Sequence, residues 1–223
     1  HEGVGLCGPV TWGEWRQWWK GVAWKKAGGH NGLRHAHMKA MMKGGHWMGE
    51  VLWRLCGMVV EYKVKPPQWG VELLWQIEKV QGVTDSNKQR PIKLLDVLRK
   101  CVQGVLQKGV DRGVERMGLM SNMQAAFRAG MSTSVSLLHV NLMAEWCAMH
   151  GVGLVDQGHD VAKAYDSVSA EVKEMVMLRM GVGRDFAELQ NELDMGDKLL
   201  VLTGFGASNE VCAEWEGMSE EER

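Results

Sequence analysis

The segment His159–Val168 reads HDVAKAYDSV and decides how the second half of the chain is interpreted. It follows the glycine-flanked apolar run GVGLV of residues 151–155, which predicts a short strand. A helix is predicted over residues 167–180. Asp160 then lies just after the strand, and Asp166 lies at the amide-rich start of the helix, where a carboxylate is favourable. Taken alone, the pattern is also that of an ordinary strand, turn and capped helix.

The chain before this segment is predicted to be mainly helical. Apolar residues recur at helical spacing over residues 11–24, 33–62 and 94–106. Pro66 and Pro67 should end the second helix, because proline lacks an amide donor. A fourth helix is predicted over residues 132–149, with an apolar side of Val135, Leu138, Leu142 and Trp146 that we expect to be buried.

Strands are predicted in two further places. Residues 71–80 are predicted to form a strand that a polar turn, residues 82–89, follows. The apolar runs 199–202 and 211–215 are predicted to pair as a hairpin around residues 204–209. The predicted fold class is therefore α+β.

Four segments upstream of Asp160 are informative in combination. They read SNMQAAFRAGMST at residues 121–133, RPIKLL at 90–95, PQW at 67–69 and KKAGGHNGL at 25–33. With His159–Val168, they resemble, in the same order, segments of reverse transcriptases of the non-LTR retrotransposon type. The resemblance covers about residues 20–180.

Three departures from the family's pattern stand out. Ala126 replaces a usual glycine, Glu78 stands where proline usually precedes Lys79, and the loop of residues 25–33 lacks the family's prolines and its aspartate. They leave open that the chain is the remnant of a decayed element.

The resemblance implies a partial right-hand polymerase. Residues 1–150 would be a mostly helical fingers region, and residues 151–223 would be the first part of an antiparallel palm sheet. The Gln-Gly and Ala-Asp-Asp segments of the family do not occur after residue 180. We therefore expect the parent protein to be an RNA-directed DNA polymerase and this chain to be inactive as it stands.

The resemblance also implies roles for individual residues. Asp160 would be the catalytic carboxylate, holding Mg²⁺ or Mn²⁺ together with the carbonyl of Val161. Residues that would bind the deoxynucleoside triphosphate are Arg90, Lys79 or its substitute Lys88, and Tyr165, whose ring would exclude a ribose 2′-hydroxyl. RNA template and DNA primer would contact Arg128, Lys25 and Lys26. For Arg128, a surface salt bridge is an equally good interpretation.

Charge is distributed unevenly along the chain. The net charge is −1, but residues 1–65 carry ten Lys or Arg against four Asp or Glu. Such a basic segment with several tryptophans suits a phosphate backbone, although a solvated helix face explains it too. Five scattered cysteines without a CxxC pair suggest neither a disulfide framework nor a zinc site. The unpaired cysteines fit a reducing compartment, so we expect an intracellular protein of the nucleus or cytoplasm. No apolar run is long enough to span a bilayer, so we expect no membrane role.

Two other classes of function remain open at this stage. The chain could be a non-catalytic module that binds structured RNA, or a helical interaction protein with an accidental likeness to polymerases.

Overall fold

A computed structural model describes residues 10–43, 47–78, 82, 89–160, 168–194, 198–203, 206–208 and 212–213. Helices and strands alternate irregularly along these residues. In chain order they are α1 (Trp12–Gly21), α2 (His35–Met42), α3 (Trp47–Tyr62), a 3₁₀ helix (Pro67–Gly70), β1 (Val71–Glu78), β2 (Gln89–Leu94), α4 (Val97–Arg116), α5 (Thr133–His150), α6 (Ala170–Arg179), α7 (Arg184–Asp194), β3 (Lys198–Thr203), β4 (Gly206–Ala207) and β5 (Cys212–Ala213). The predicted α+β class is confirmed.

Local sequence signals account for where several helices begin. The Thr11 hydroxyl accepts a hydrogen bond from the Glu14 amide, and the Glu14 carboxylate accepts one from the Thr11 amide, which forms a capping box at α1. Asp96 caps α4 by accepting from the amides of Leu98 and Arg99. The helix predicted from residue 94 therefore starts at residue 97, because Leu94 ends β2 and Asp96 occupies the cap.

The sheet is mixed. Its strand order is β2-β1-β3-β4, and β5 pairs with the other end of β3. The β1–β2 hairpin is antiparallel, as are the pairings of β3 with β4 and β5, but β1 and β3 are parallel. Within residues 151–223 the pairings of β3 with β4 and β5 are antiparallel, whereas the sheet as a whole is mixed because β3 is parallel to β1 of the preceding region. A parallel pair needs a long crossover connection, and α4 to α7 supply it.

The two faces of the sheet differ in what covers them. On β1, Glu72 faces the helices and is 1% exposed, whereas Leu73 and Trp75 share the other face with their register partners Leu94 and Leu202. This alternation is expected, because successive side chains of a strand point to opposite faces of the sheet. The second face stays partly open, because Trp75 is 53% exposed.

A buried ion pair ties the sheet to the helices. The Arg99 guanidinium of α4 donates to the Glu72 carboxylate of β1 at 2.8 Å and to the Trp69 carbonyl at 3.1 Å. The same guanidinium lies 3.8 Å from the Asp194 carboxylate at the end of α7. Both Glu72 and Arg99 are buried, so their charges depend on one another.

The main apolar core lies among α1, α3, α4 and α7. Trp15 and Trp19 of α1 are buried there, as their helical spacing predicted. Phe186, Leu189 and Leu193 of α7 join the same core. The sequence interpretation missed α7, although residues 186, 189 and 193 have the spacing of one helix face.

Two predictions in the middle of the chain are wrong. Residues 151–160 form no strand; they are exposed and irregular. α5 is present, but Leu138, Leu142 and Trp146 are each more than half exposed, and Cys147 is its buried residue. The apolar side could not be predicted because α5 is apolar on nearly every side, so its pattern does not single out one face.

The C-terminal part of the α6 prediction is confirmed and its start is corrected. α6 begins at Ala170, where the Ser169 hydroxyl accepts from the Val172 amide, and Gly181 follows its end at φ +81°. The helix therefore starts three residues later than predicted. Asp166, proposed for its first turn, lies outside the described residues.

Candidate nucleic-acid interface

A cleft of about 500 Å³ lies between the open face of the sheet and the loop that joins α1 to α2. Its charged residues are Lys25, Lys26 and Arg34. Its floor is apolar and consists of sheet residues, Leu73, Trp75, Leu94 and Leu202. All three cations are exposed, and none forms a salt bridge within the described part of the chain.

Two smaller clefts continue this one along α1 and α2. The first, of about 420 Å³, shares Trp24 and Ala36 with the sheet cleft and adds Lys39 and Lys43. The second, of about 330 Å³, shares both of those lysines and adds Arg16 and Lys20. We call the three clefts together the basic groove.

The basic groove has one sign of charge. Its described lining includes no Asp or Glu and includes seven of the ten basic residues in the segment 1–65, namely Arg16, Lys20, Lys25, Lys26, Arg34, Lys39 and Lys43. A groove lined by one sign of charge concentrates the field of its cations and attracts anions.

The glycine loop of the groove is held against α4. The Asn31 side-chain amide donates to the Asp96 carboxylate, and the Leu33 amide donates to the Asn31 side chain at 3.0 Å. Gly29 lies so close to the backbone of residues 95 and 96 that an added Cβ would come within 2.8 Å of the Leu95 carbonyl oxygen. The loop contains no proline, but these contacts give it a fixed position.

A buried histidine lies behind the loop. His35, the first residue of α2, is 2% exposed, packs 6.0 Å from the Trp19 ring and is hydrogen-bonded to the backbone of Lys26. Its Nδ1 has no hydrogen-bond partner in the described part of the chain. Burial, followed by the positive charge of Lys100, lowers the pKa of His35 below its ordinary value.

The structure places some of the residues singled out from the sequence. Lys25 and Lys26 line the basic groove. Arg90 is exposed on β2 opposite Ile77 of β1, so the β1–β2 hairpin carries it, and it forms no ion pair with a described residue. The four other residues proposed for nucleotide or metal binding lie outside the described residues: Lys79, Lys88, Val161 and Tyr165.

Arg128 has a structural role. Its guanidinium makes a two-pronged salt bridge with the Glu115 carboxylate, with both contacts at 2.7 Å, and donates to the carbonyls of Ser121 and Gln124. The hydrogen bonds from Arg128 lower the pKa of the Glu115 carboxyl. Of the two interpretations of Arg128, the salt bridge is the one observed, and four of the five guanidinium N–H donors are occupied by the chain's own acceptors.

Asp160 lies in the exposed, irregular segment of residues 151–160 and not at the end of a strand, and residues 161–167 after it lie outside the described residues. Among the described residues, no three His, Cys, Asp or Glu side chains are grouped to hold a metal ion. Two Mg²⁺ ions need several oxygen ligands held rigidly. The described residues therefore do not fit the expected metal pair, and no metal-dependent step is assigned to them.

Much of the groove was missed from the sequence although a signal was present. Arg16 and Lys20 are four residues apart on α1 and share one side of that helix, and Lys39 lies on α2 one turn before Lys43, the residue that follows the helix. Trp75 alternates with Glu72 and Leu74 on β1 and could have been placed on the open face by period two. What the sequence could not predict is that three elements bring these residues into one groove.

No protein-family model matches this chain, and no curated protein matches it in sequence. None of the helices among the described residues is both long and apolar enough to cross a membrane.

Proposed function

We propose that this chain is the fingers region and the first part of the palm of a reverse transcriptase of the non-LTR retrotransposon type, and that its basic groove holds the phosphate backbone of nucleic acid. The observation that carries the proposal is the groove itself, with seven cations and no described carboxylate in its lining. The ordered sequence segments are the reason for proposing this family, and the groove is the surface through which nucleic acid would be bound.

The groove would bind through phosphates and not through base edges. Lysine and arginine side chains neutralise phosphate charge and release condensed counterions, so binding weakens as salt rises. Such contacts position a nucleic acid without reading its sequence. RNA template and DNA primer are both compatible partners.

Arg90 would act at a different place, on the β1–β2 hairpin. Its exposed guanidinium is suited to the phosphates of a deoxynucleoside triphosphate, which is the role that the resemblance assigns to it. Support for this role is its position on the hairpin and its freedom from ion pairs with described residues.

A second candidate is a non-catalytic RNA-binding module with the same groove. It is favoured by the position of Asp160, which lies on no strand and in no group of metal-binding side chains among the described residues. Both candidates require the groove to bind nucleic acid, and they differ in whether a polymerase is formed.

The groove is tested by fluorescence anisotropy with mixed-sequence single-stranded RNA and DNA. If about five phosphates are neutralised, affinity should fall about 100-fold between about 50 mM and 200 mM salt. The double substitution Lys39→Ala, Lys43→Ala should lower the slope of the salt dependence by about 1.4, because two phosphate contacts are lost.

The matched control is Arg54→Ala, Arg116→Ala, which removes two exposed charges from α3 and α4 outside the groove. It should leave the slope unchanged. Equal effects of the two double variants would show that net charge, not the groove, determines binding, and affinity that is indifferent to salt would exclude phosphate binding altogether.

A further inference from the structure

The sheet end of the basic groove has a feature that phosphate binding does not require. Trp75 lies in the middle of β1, with β2 on one side and β3 on the other, yet its side chain is 53% exposed. A large aromatic residue on a central strand is usually covered by another layer of the protein. Here it lies in the floor of the cleft whose wall carries Lys25, Lys26 and Arg34.

A second exposed tryptophan borders the same cleft. Trp24 is 60% exposed, and the Lys25 ammonium lies 5.3 Å from the centre of its ring. That cation–π contact places Lys25 at the edge of the cleft that Trp24 also lines. The cleft therefore combines aromatic surface and positive charge within about 500 Å³, a size suited to a ligand of a few rings.

We propose that this cleft binds an unpaired base of a single-stranded nucleic acid, with Trp75 as the stacking platform and Lys25, Lys26 and Arg34 as contacts for the adjoining phosphates. The inference rests on the proposed function, because it assigns a ligand to one end of the same groove. Aromatic stacking combined with backbone cations is the usual way to hold a single strand without reading its sequence.

The preference for a single strand follows from the availability of the base. In a duplex both faces of an internal base are already stacked on neighbours, so a tryptophan ring has no face to contact. Leu73, Leu94 and Leu202 around Trp75 offer no hydrogen-bonding side chains. The site should therefore accept any of the bases.

The experiment compares two oligonucleotides of about ten nucleotides, one with bases and one abasic at every position, in the same anisotropy assay at constant salt. The unaltered chain should bind the base-bearing strand about tenfold more tightly, within the range known for stacking on one aromatic side chain. Trp75→Ala should abolish that difference without weakening binding of the abasic strand. Trp75→Phe, which keeps a ring on the strand, should retain part of it.

The control is Trp47→Ala, which removes a tryptophan that is 66% exposed on α3 and should leave the tenfold preference unchanged. Failure to bind either strand would overturn the proposed function together with this inference. Equal binding of both strands by the unaltered chain, or a preference that survives in both Trp75 variants, would overturn the stacking site alone and leave the phosphate groove in place.

Discussion

The ionisation of His35 is linked to folding. Its pKa is lowered in the folded protein, because the ring is buried and Lys26, Lys39 and Lys100 all disfavour a further positive charge. Below the ordinary histidine pKa of about 6.5, the unfolded chain binds a proton that the folded chain resists. Stability should therefore be constant above that pH and should fall as the pH is lowered from about 6.5.

The prediction is tested by urea unfolding at about pH 7.5, 6 and 5. His35→Gln should remove most of the decrease in the free energy of unfolding between about pH 7.5 and pH 5. His30→Gln, which changes an exposed histidine, is the control and should leave that decrease in place. Glu14 and Glu115 do not confuse the result, since their lowered pKa values mean that the stability they contribute is lost mainly as the pH falls below the ordinary carboxyl pKa of 4.5. An identical pH profile for His35→Gln and the unaltered chain would contradict the assignment.

Single residues were predicted from the sequence when a local pattern determined them. The helical spacing of residues 11–24 predicted an apolar side of α1, and Trp15 and Trp19 are buried on that side. The assignment of Lys25 and Lys26 to nucleic acid came from the family resemblance and stays a prediction, although both residues line the basic groove. Arg128 was left between two roles because its partner, Glu115, is 13 residues away, and no local rule predicts that contact. The charge of a residue indicates that it will form an ion pair or hydrogen bonds, but the local sequence does not identify the partner residue.

At the scale of elements, the pair between Glu72 of β1 and Arg99 of α4 joins two layers of the fold. Arg99→Met should destabilise the protein by about 3–5 kcal/mol, because it leaves the buried Glu72 carboxylate without its main counter-charge. The double variant Glu72→Leu, Arg99→Met should recover most of that loss, since neither charge is then buried.

Urea unfolding of the two single variants and the double variant measures this coupling. Lys93→Ala serves as the control, because the Lys93 ammonium lies 3.3 Å from the same carboxylate but its side chain is about half exposed. If the Arg99→Met variant were as stable as the unaltered chain, the ion pair would not stabilise the packing of β1 against α4.

Elements with a strong local pattern were predicted, and those without one were not. α1 and α4 have capping residues and helical spacing, and β1 is followed by a polar turn in the sequence. The strand over residues 151–155 was wrong, because a short apolar run gives no information on whether a neighbouring strand exists to pair with it. Its hydrogen-bonding partner would have to come from elsewhere in the chain.

For the molecule as a whole, we expect no primer extension by this 223-residue chain with Mg²⁺ or Mn²⁺. Two-metal transfer needs several carboxylates around the ion pair, and the resemblance assigns Asp160 alone. The measurement is extension of a labelled DNA primer on an RNA template. Asp160→Asn is the control, and extension that survives this substitution would show that the active site lies elsewhere.

The same assay on a longer protein that includes Gln-Gly and Ala-Asp-Asp segments would separate the two candidate functions. Extension that Asp160→Asn abolishes would support the polymerase, because an asparagine amide cannot supply the missing negative charge. Nucleic-acid binding without extension in that longer protein would favour the RNA-binding module.

The α+β fold class could be predicted from the sequence, whereas the pairing of distant strands in the sheet could not. Helical periodicity and the hairpin signals give an α+β protein, but the parallel pairing of β1 with β3 joins residue 71 to residue 198. Nothing in either strand's own sequence specifies a partner so distant. The basic groove depends on that pairing as well, because Leu202 of β3 forms part of its floor.

The parallel pairing of β1 also sets an order of events during synthesis. The hairpin of β1 and β2 is complete once residue 94 has emerged from the ribosome, but β3 ends only at residue 203. At translation rates of 5–20 residues per second, that gap lasts on the order of ten seconds. Throughout it, one edge of β1 displays unpaired amides and carbonyls beside Trp75 and Ile77, which is a template for joining another nascent chain. We therefore expect the newly made protein to aggregate less when a chaperone is present or when expression is slow and dilute.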